Sequence, residues 1–171
     1  MNHVFIVGFM GAGKSTVGRL VAARLGLPLE DLDARIERRS CMRVGAIFDA
    51  GGEAAFRELE SHELERVAHE APCVVACGGG IVISDANRRI LKESGVVVYL
   101  SVTAGEALAR VGEVSSRPLL AQGGLDAART LLAARESLYR AVADVTVDTV
   151  GRTPDQVADD VVGALASARG A

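Results

Sequence analysis

Eight residues near the start of this chain, Gly8-Phe9-Met10-Gly11-Ala12-Gly13-Lys14-Ser15, fit the pattern G-x-x-x-x-G-K-[ST]. Glycines let successive backbone N–H groups converge with no Cβ in the way, which makes a nest for an anion. A helix that starts at such a loop points its positive end at the same anion. Lys14 adds a mobile charge suited to β- and γ-phosphates, and Ser15 adds a hydroxyl oxygen for a magnesium ion. Gly11, Ala12, Gly13, Lys14, Ser15 and Thr16 are therefore the candidate nucleotide contacts. The chain has only two lysines, Lys14 and Lys92, and one of them falls on the motif's lysine position.

A phosphate loop works only between a strand and a helix. Val4-Phe5-Ile6-Val7 supplies an apolar run upstream, and Val17, Leu20, Val21 and Leu25 recur at helical spacing downstream. Further strand candidates lie at 29–32, 73–77, 96–101 and 144–148, after a first one at 3–7, with helical patterns between them. Strands alternating with helices imply a parallel sheet covered on both faces. Thr103 and Glu106 have capping-box spacing, and Thr153-Pro154-Asp155-Gln156 combines a cap, a proline at the first helical position and a reciprocal glutamine. Val157, Val161, Val162 and Leu165 then form a buried stripe. Gly51-Gly52 is expected to divide a short helical piece near 44–50 from a longer one at 53–71. The stretch 112–124, rich in small residues and closed by Gly123-Gly124, has the composition of a lid.

The 171 residues fit one domain able to bury about 70% of its unfolded surface. A net charge of −3 argues against a dedicated nucleic-acid binder, and no apolar run approaches the roughly 18 residues of a membrane span. Cys41, Cys73 and Cys77 read as free thiols, and the three histidines offer no metal-ligand spacing beside them. The expectation is a cytoplasmic enzyme, a monomer without nucleic-acid or membrane partners. Neither lysine is followed two residues later by aspartate, as a guanine reader would require. Val74-Val75-Ala76-Cys77 ends in Gly78-Gly79-Gly80 rather than in the carboxylates of motor and transport ATPases. Carboxylates follow the second strand instead, as Asp31-Leu32-Asp33. One phosphate loop, a small chain and a lid point to a small-molecule kinase, which must close because water would otherwise accept the phosphoryl group.

The chain resembles the shikimate kinase family along nearly its whole length. The resemblance rests on the phosphate loop, Asp31-Leu32-Asp33, Ile47-Phe48, and Gly52-Glu53-Ala54-Ala55-Phe56-Arg57-Glu58-Leu59-Glu60. It continues through Gly78-Gly79-Gly80, Arg117-Pro118-Leu119-Leu120, Arg135 with Leu138-Tyr139, Asp148-Thr149 and Arg152-Thr153-Pro154. It implies an α/β P-loop three-layer sandwich like that of nucleoside monophosphate kinases, with a five-stranded parallel sheet. Residues 1–171 would form one kinase domain, with a substrate-binding segment at about 33–62 and a lid at about 112–124. It also implies ATP- and Mg2+-dependent phosphorylation of the shikimate 3-hydroxyl, a step towards chorismate and aromatic amino acids.

Roles follow at the matching positions. A planar guanidinium grips a carboxylate with two hydrogen bonds, so Arg57 and Arg135 are the expected anchors of the shikimate carboxylate. Glu60, one turn beyond Arg57, is placed to hold that guanidinium. Gly78, Gly79 and Gly80 follow a strand end and offer bare backbone to substrate hydroxyls. Asp33 is expected to orient the reacting hydroxyl and is the candidate to take its proton; Asp31 is expected to hold magnesium with Ser15. Arg117 would stabilise the moving phosphoryl group, and Arg110 and Arg152 correspond to adenine-side residues. Cys41 departs from a usual glycine, Cys77 from a threonine, Ser137 from a proline and Val111 from a small hydroxyl residue. A kinase of another polyol acid such as gluconate would need other anchors than Arg57 and Arg135. A nucleotide-binding regulator without catalysis would lack one of Lys14, Asp31, Asp33 or Arg117, and all four are present.

Overall fold

The apolar runs become strands that all point the same way. In the computed structural model, which describes residues 2–111 and 124–169, β1 (His3–Val7), β2 (Leu29–Asp31), β3 (Val74–Ala76), β4 (Gly95–Ser101) and β5 (Val145–Asp148) form one parallel sheet in the order β2-β3-β1-β4-β5. Ile6 pairs with Ala76 on one side and with Val98 on the other. All five residues of β1 are buried, so both faces of the sheet are covered. Helices α1 (Lys14–Leu25) and α7 (Pro154–Arg169) pack on each other and on β1, β3 and β5, while α4 (Asp85–Ser94) packs on β4. The other α-helices among the described residues are α2 (Leu32–Ser40), α3 (Val44–Ala68), α5 (Ala104–Val111) and α6 (Gly124–Val142), and a 3-10 turn spans Ile81–Ile83. The expected five-stranded parallel α/β sandwich is what forms.

The strand order creates the site. From β1 the chain leaves towards β2, whereas from β3 it crosses β1 to reach β4. The carboxyl ends of β1 and β3 therefore feed loops that diverge, and such a crevice is where ligands enter open α/β sheets.

Helix boundaries follow local chemistry. The second strand ends at Asp31, one residue short of the expected 29–32, because the Asp31 side chain accepts from the Ala34 N–H (3.2 Å) and starts α2 there. Helix α3 runs through Gly51, breaks its dihedrals at Gly52 (φ 70°, ψ −173°) and ends at Ala68, short of the expected 71. Thr153 and Gln156 cap reciprocally, at 3.0 and 3.3 Å. The Thr103–Glu106 box is only half made. The Glu106 N–H donates to Thr103 Oγ1 (3.3 Å), but the Glu106 carboxylate turns to Arg110 and to the Gly151 N–H, a charged partner outbidding a neutral one.

A main core surrounds the sheet, with Val157, Val161 and Leu165 of the closing stripe in it and Val162 packed against it. A second, small core of Ile36, Ile47 and Phe56, backed by Val44, Phe48 and Leu59, joins α2 to α3. That satellite core shapes the segment expected to bind substrate. Cys41 closes α2 in the left-handed region (φ 54°), the one non-glycine with positive φ among the described residues.

Candidate active site

The phosphate loop joins β1 to α1 in a conformation that its glycines allow. Gly11 has φ 71°, and a Cβ there would lie 2.4 Å from the Ala107 carbonyl oxygen, so helix α5 can approach only bare backbone. Lys14 Nζ donates to the Phe9 carbonyl at 3.0 Å, folded back over the loop. Ser15 Oγ donates to Asp31 Oδ2 at 2.7 Å. Ala12 is buried, and its N–H donates to the Phe9 carbonyl (3.2 Å).

A cavity of about 200 Å³ opens beside this loop, lined by Gly11, Gly13, Lys14, Ser15 and Thr16, with Asp31, Asp33 and Cys77 facing them. Ala12 is not among its walls. A second cavity, of about 390 Å³, is lined by Glu37, Val44, Phe48, Phe56, Arg57, Glu60, Gly80 and Arg135. Met10, Asp31, Asp33, Gly78 and Gly79 line both. The two cavities are thus neighbouring chambers of one cleft, with Asp33 at their junction.

The second chamber is built around an ion pair. Glu60 is fully buried, and its Oε2 accepts from Arg57 Nη1 at 2.7 Å; Glu53 Oε1 accepts from Arg57 Nη2 at 3.1 Å. Burial raises the Glu60 pKa against the opposing pull of the Arg57 charge. Burial also works against the Arg57 charge, but the Glu60 and Glu53 carboxylates outweigh it and hold that guanidinium above its usual value. The triple glycine is what leaves room for this pair. A Cβ on Gly78 would lie 2.3 Å from Glu60 Oε1 and 3.3 Å from Asp33 Oδ1, and one on Gly80 would lie 2.2 Å from Arg57 Cζ. Arg135 is buried on α6 with its guanidinium beside the Tyr139 hydroxyl. Phe48 and Phe56 form an aromatic wall, with centroids 4.8 Å apart, and Arg57 lies 5.3 Å over the Phe56 ring.

The two arginines expected on the adenine side behave differently from each other. Arg110 donates to the Gly11 carbonyl (3.3 Å), Thr149 Oγ1 (3.0 Å) and the Thr149 carbonyl (2.7 Å), bridging the phosphate loop to the turn after β5. Arg152 turns to Asp160 (2.7 Å) and to the Asp148 carbonyl (3.2 Å). Of the two, Arg110 is the one in contact with the loop. Arg117, with the expected lid up to residue 123, lies outside the described residues. Met10, Phe48, Phe56 and Tyr139 line or brace the cleft yet carry no role in the sequence reading. For Tyr139 the available signal was its place one helical turn after Arg135.

Chemically, the cleft offers an anion nest with a lysine, a pair of oxygen donors and a carboxylate at the junction. Beyond them lie two guanidiniums in a chamber with one aromatic wall. The family model described as shikimate kinase matches residues 10–166. A shikimate kinase of Halorhodospira halophila is 46% identical over 165 residues, covering 96% of this chain and 93% of that protein. One of Pseudomonas fluorescens is 42% identical over 167 residues, covering 97% of each. The solved shikimate kinase from Acinetobacter baumannii in complex with shikimate superposes with a TM-score of 0.94 at 36% identity, covering 98% of this chain and 94% of that one. This chain belongs to the shikimate kinase family, and is by that membership a small-molecule kinase that uses ATP.

Proposed function

We propose that this protein transfers the γ-phosphoryl group of ATP to the 3-hydroxyl of shikimate, with the triphosphate tail in the smaller chamber and the ring in the larger. The observation that carries this reading is the shared wall. Met10, Asp31, Asp33, Gly78 and Gly79 border both chambers, so donor and acceptor meet without crossing solvent. Arg57 and Arg135 take the substrate carboxylate, Phe48 and Phe56 cover the apolar side of the ring, and the backbone of Gly78–Gly80 meets its hydroxyls. Asp33 accepts the hydrogen bond of the reacting hydroxyl and takes its proton as the bond to phosphorus forms. A loose phosphoryl-transfer transition state asks for position more than basicity, so the main task of Asp33 is alignment. Lys14 leaves the Phe9 carbonyl for the β- and γ-phosphates. Arg110 and Arg152 flank the adenine side, and Arg117 supplies charge from the lid.

Ser15 Oγ and Asp31 Oδ2, 2.7 Å apart, are hard oxygen donors of the kind magnesium takes while keeping several waters. Magnesium held there would neutralise charge on the phosphate oxygens. Three free thiols support a cytoplasmic setting, and among the described residues no helix is long and apolar enough to cross a membrane. The test is ADP release from ATP and Mg2+ with shikimate, gluconate or a nucleoside monophosphate as acceptor. Shikimate alone should release ADP; ADP release without dependence on shikimate overturns the reading.

A further inference from the structure

Gly79 sits between the two parts of the cleft that must keep a fixed spacing. A Cβ built on it would lie 3.6 Å from the Gly8 carbonyl oxygen, 3.7 Å from the Met10 nitrogen and 3.8 Å from the Tyr139 hydroxyl. The Tyr139 hydroxyl donates to the Gly79 carbonyl, across 60 residues of sequence. The same hydroxyl has the Arg135 guanidinium beside it, four residues earlier on α6. Its direction is fixed because the Tyr139 ring is fully buried and stacked on Tyr99, with centroids 5.1 Å apart and planes 17° apart. Tyr99 is covered in turn by the Arg140 guanidinium at 5.9 Å.

We propose that Tyr139 is a positioning residue for phosphoryl transfer: its hydroxyl ties the Gly78–Gly80 turn to α6, the helix that carries Arg135 one turn earlier, so that the backbone facing the substrate hydroxyls and the anchor of the substrate carboxylate keep one spacing. This rests on the reading of Arg135 given above. The phenol is a protonated donor at neutral pH by its ordinary value of 10.0, and burial raises it further. An ordinary core tyrosine would place its hydroxyl wherever an acceptor was nearest. This one ends on a glycine that borders both chambers.

Tyr139→Phe keeps the ring, its volume and the stack while deleting the hydroxyl. The expected result is a shikimate KM raised roughly 5- to 20-fold and a several-fold lower kcat. The ATP KM should stay within about twofold, and Tm within about 4 °C. In an Arg135→Ala background the same change should cost less than about twofold in kcat/KM, because the two act as one unit. Wild-type shikimate kinetics in Tyr139→Phe, an equal loss towards ATP, or full additivity with Arg135→Ala overturns the proposal. A readout without substrate separates it from the functional reading. Amide hydrogen exchange of the free protein at Ile81 and Ile83, whose N–H groups donate to the Gly78 and Gly80 carbonyls (3.1 and 3.0 Å), should quicken about tenfold in Tyr139→Phe. Unchanged exchange refutes the tie, whereas absent shikimate turnover by the wild-type protein refutes only the reading of the reaction.

Discussion

Ser15 and Asp31 meet across the mouth of the phosphate chamber, hydroxyl to carboxylate at 2.7 Å, although the two residues come from different helix starts. Asp31 divides its oxygens: Oδ2 faces Ser15 while Oδ1 caps α2 through the Ala34 N–H. One carboxylate therefore serves local structure and the proposed metal together.

Replacing Asp31 with Asn separates those tasks. Asparagine caps a helix about as well as aspartate, so Tm should hold within about 4 °C. An amide carries no charge for the cation, so the Mg2+ concentration for half-maximal turnover should rise about 10- to 100-fold. A magnesium titration of ADP release checks this. An unchanged requirement would remove Asp31 from the metal.

Gly80→Ala aims at the anchor. The new Cβ would fall 2.2 Å from Arg57 Cζ and 2.3 Å from both terminal nitrogens, so the guanidinium must leave its place under the cleft. Losing a charged donor from the substrate carboxylate costs about 1.5–3 kcal/mol of binding, so the shikimate KM should rise roughly 10- to 100-fold. The phosphate chamber does not include Gly80, and the ATP KM should change by less than about twofold. Steady-state kinetics with each substrate varied decides the point. Normal shikimate KM in this variant would mean that Arg57 is not gripping the acceptor.

Local signals carried most of the fold and non-local ones were lost. Val4–Val7 and Val96–Leu100 announce buried strands because a run of β-branched residues has few other stable uses, and Gly51-Gly52 announces the break in α3. The phosphate loop and Glu60, one turn from Arg57, were legible for the same reason: their partners are near in sequence. Arg135 is one of seventeen arginines, and only family resemblance singled it out. The hydrogen bond from Tyr139, one turn beyond it, to Gly79 needs the folded chain to bring helix and strand end together. Arg110 and Arg152 each pair with a carboxylate, Glu106 and Asp160, and only the folded chain shows that Arg110 also reaches the Gly11 carbonyl.

Cys41 takes a left-handed conformation (φ 54°, ψ 26°) that an L side chain adopts at a cost of roughly 1–2 kcal/mol. It is exposed, and its thiol reaches only the Arg38 carbonyl, at 3.9 Å. Cys41→Gly should therefore stabilise the protein by about 0.5–1 kcal/mol after the unfolded chain's extra freedom is counted, raising Tm by about 2–4 °C. Cys41→Ala, which keeps the Cβ, should gain nothing. Thermal melts of both variants test this, and equal melting of glycine and alanine would deny the strain.

The buried thiols give stability an alkaline limit. Burial, with Glu30 and Glu70 adding to it, moves Cys73 from 9.0 to about 11, and burial raises Cys77 further. A folded pKa above the unfolded one means that the native state holds a proton which the unfolded chain releases. The contribution is whole below pH 9.0 and is lost as pH climbs through about 11 for Cys73. Tyr99 and Tyr139, also raised by burial, act with the same sign at higher pH. Urea midpoints should fall between pH 9 and 11, and Cys73→Ala should flatten that fall. Alanine also removes packing, but packing displaces the whole curve without tilting it. The slope alone reports the proton, and an equal slope in the variant would place the alkaline loss elsewhere.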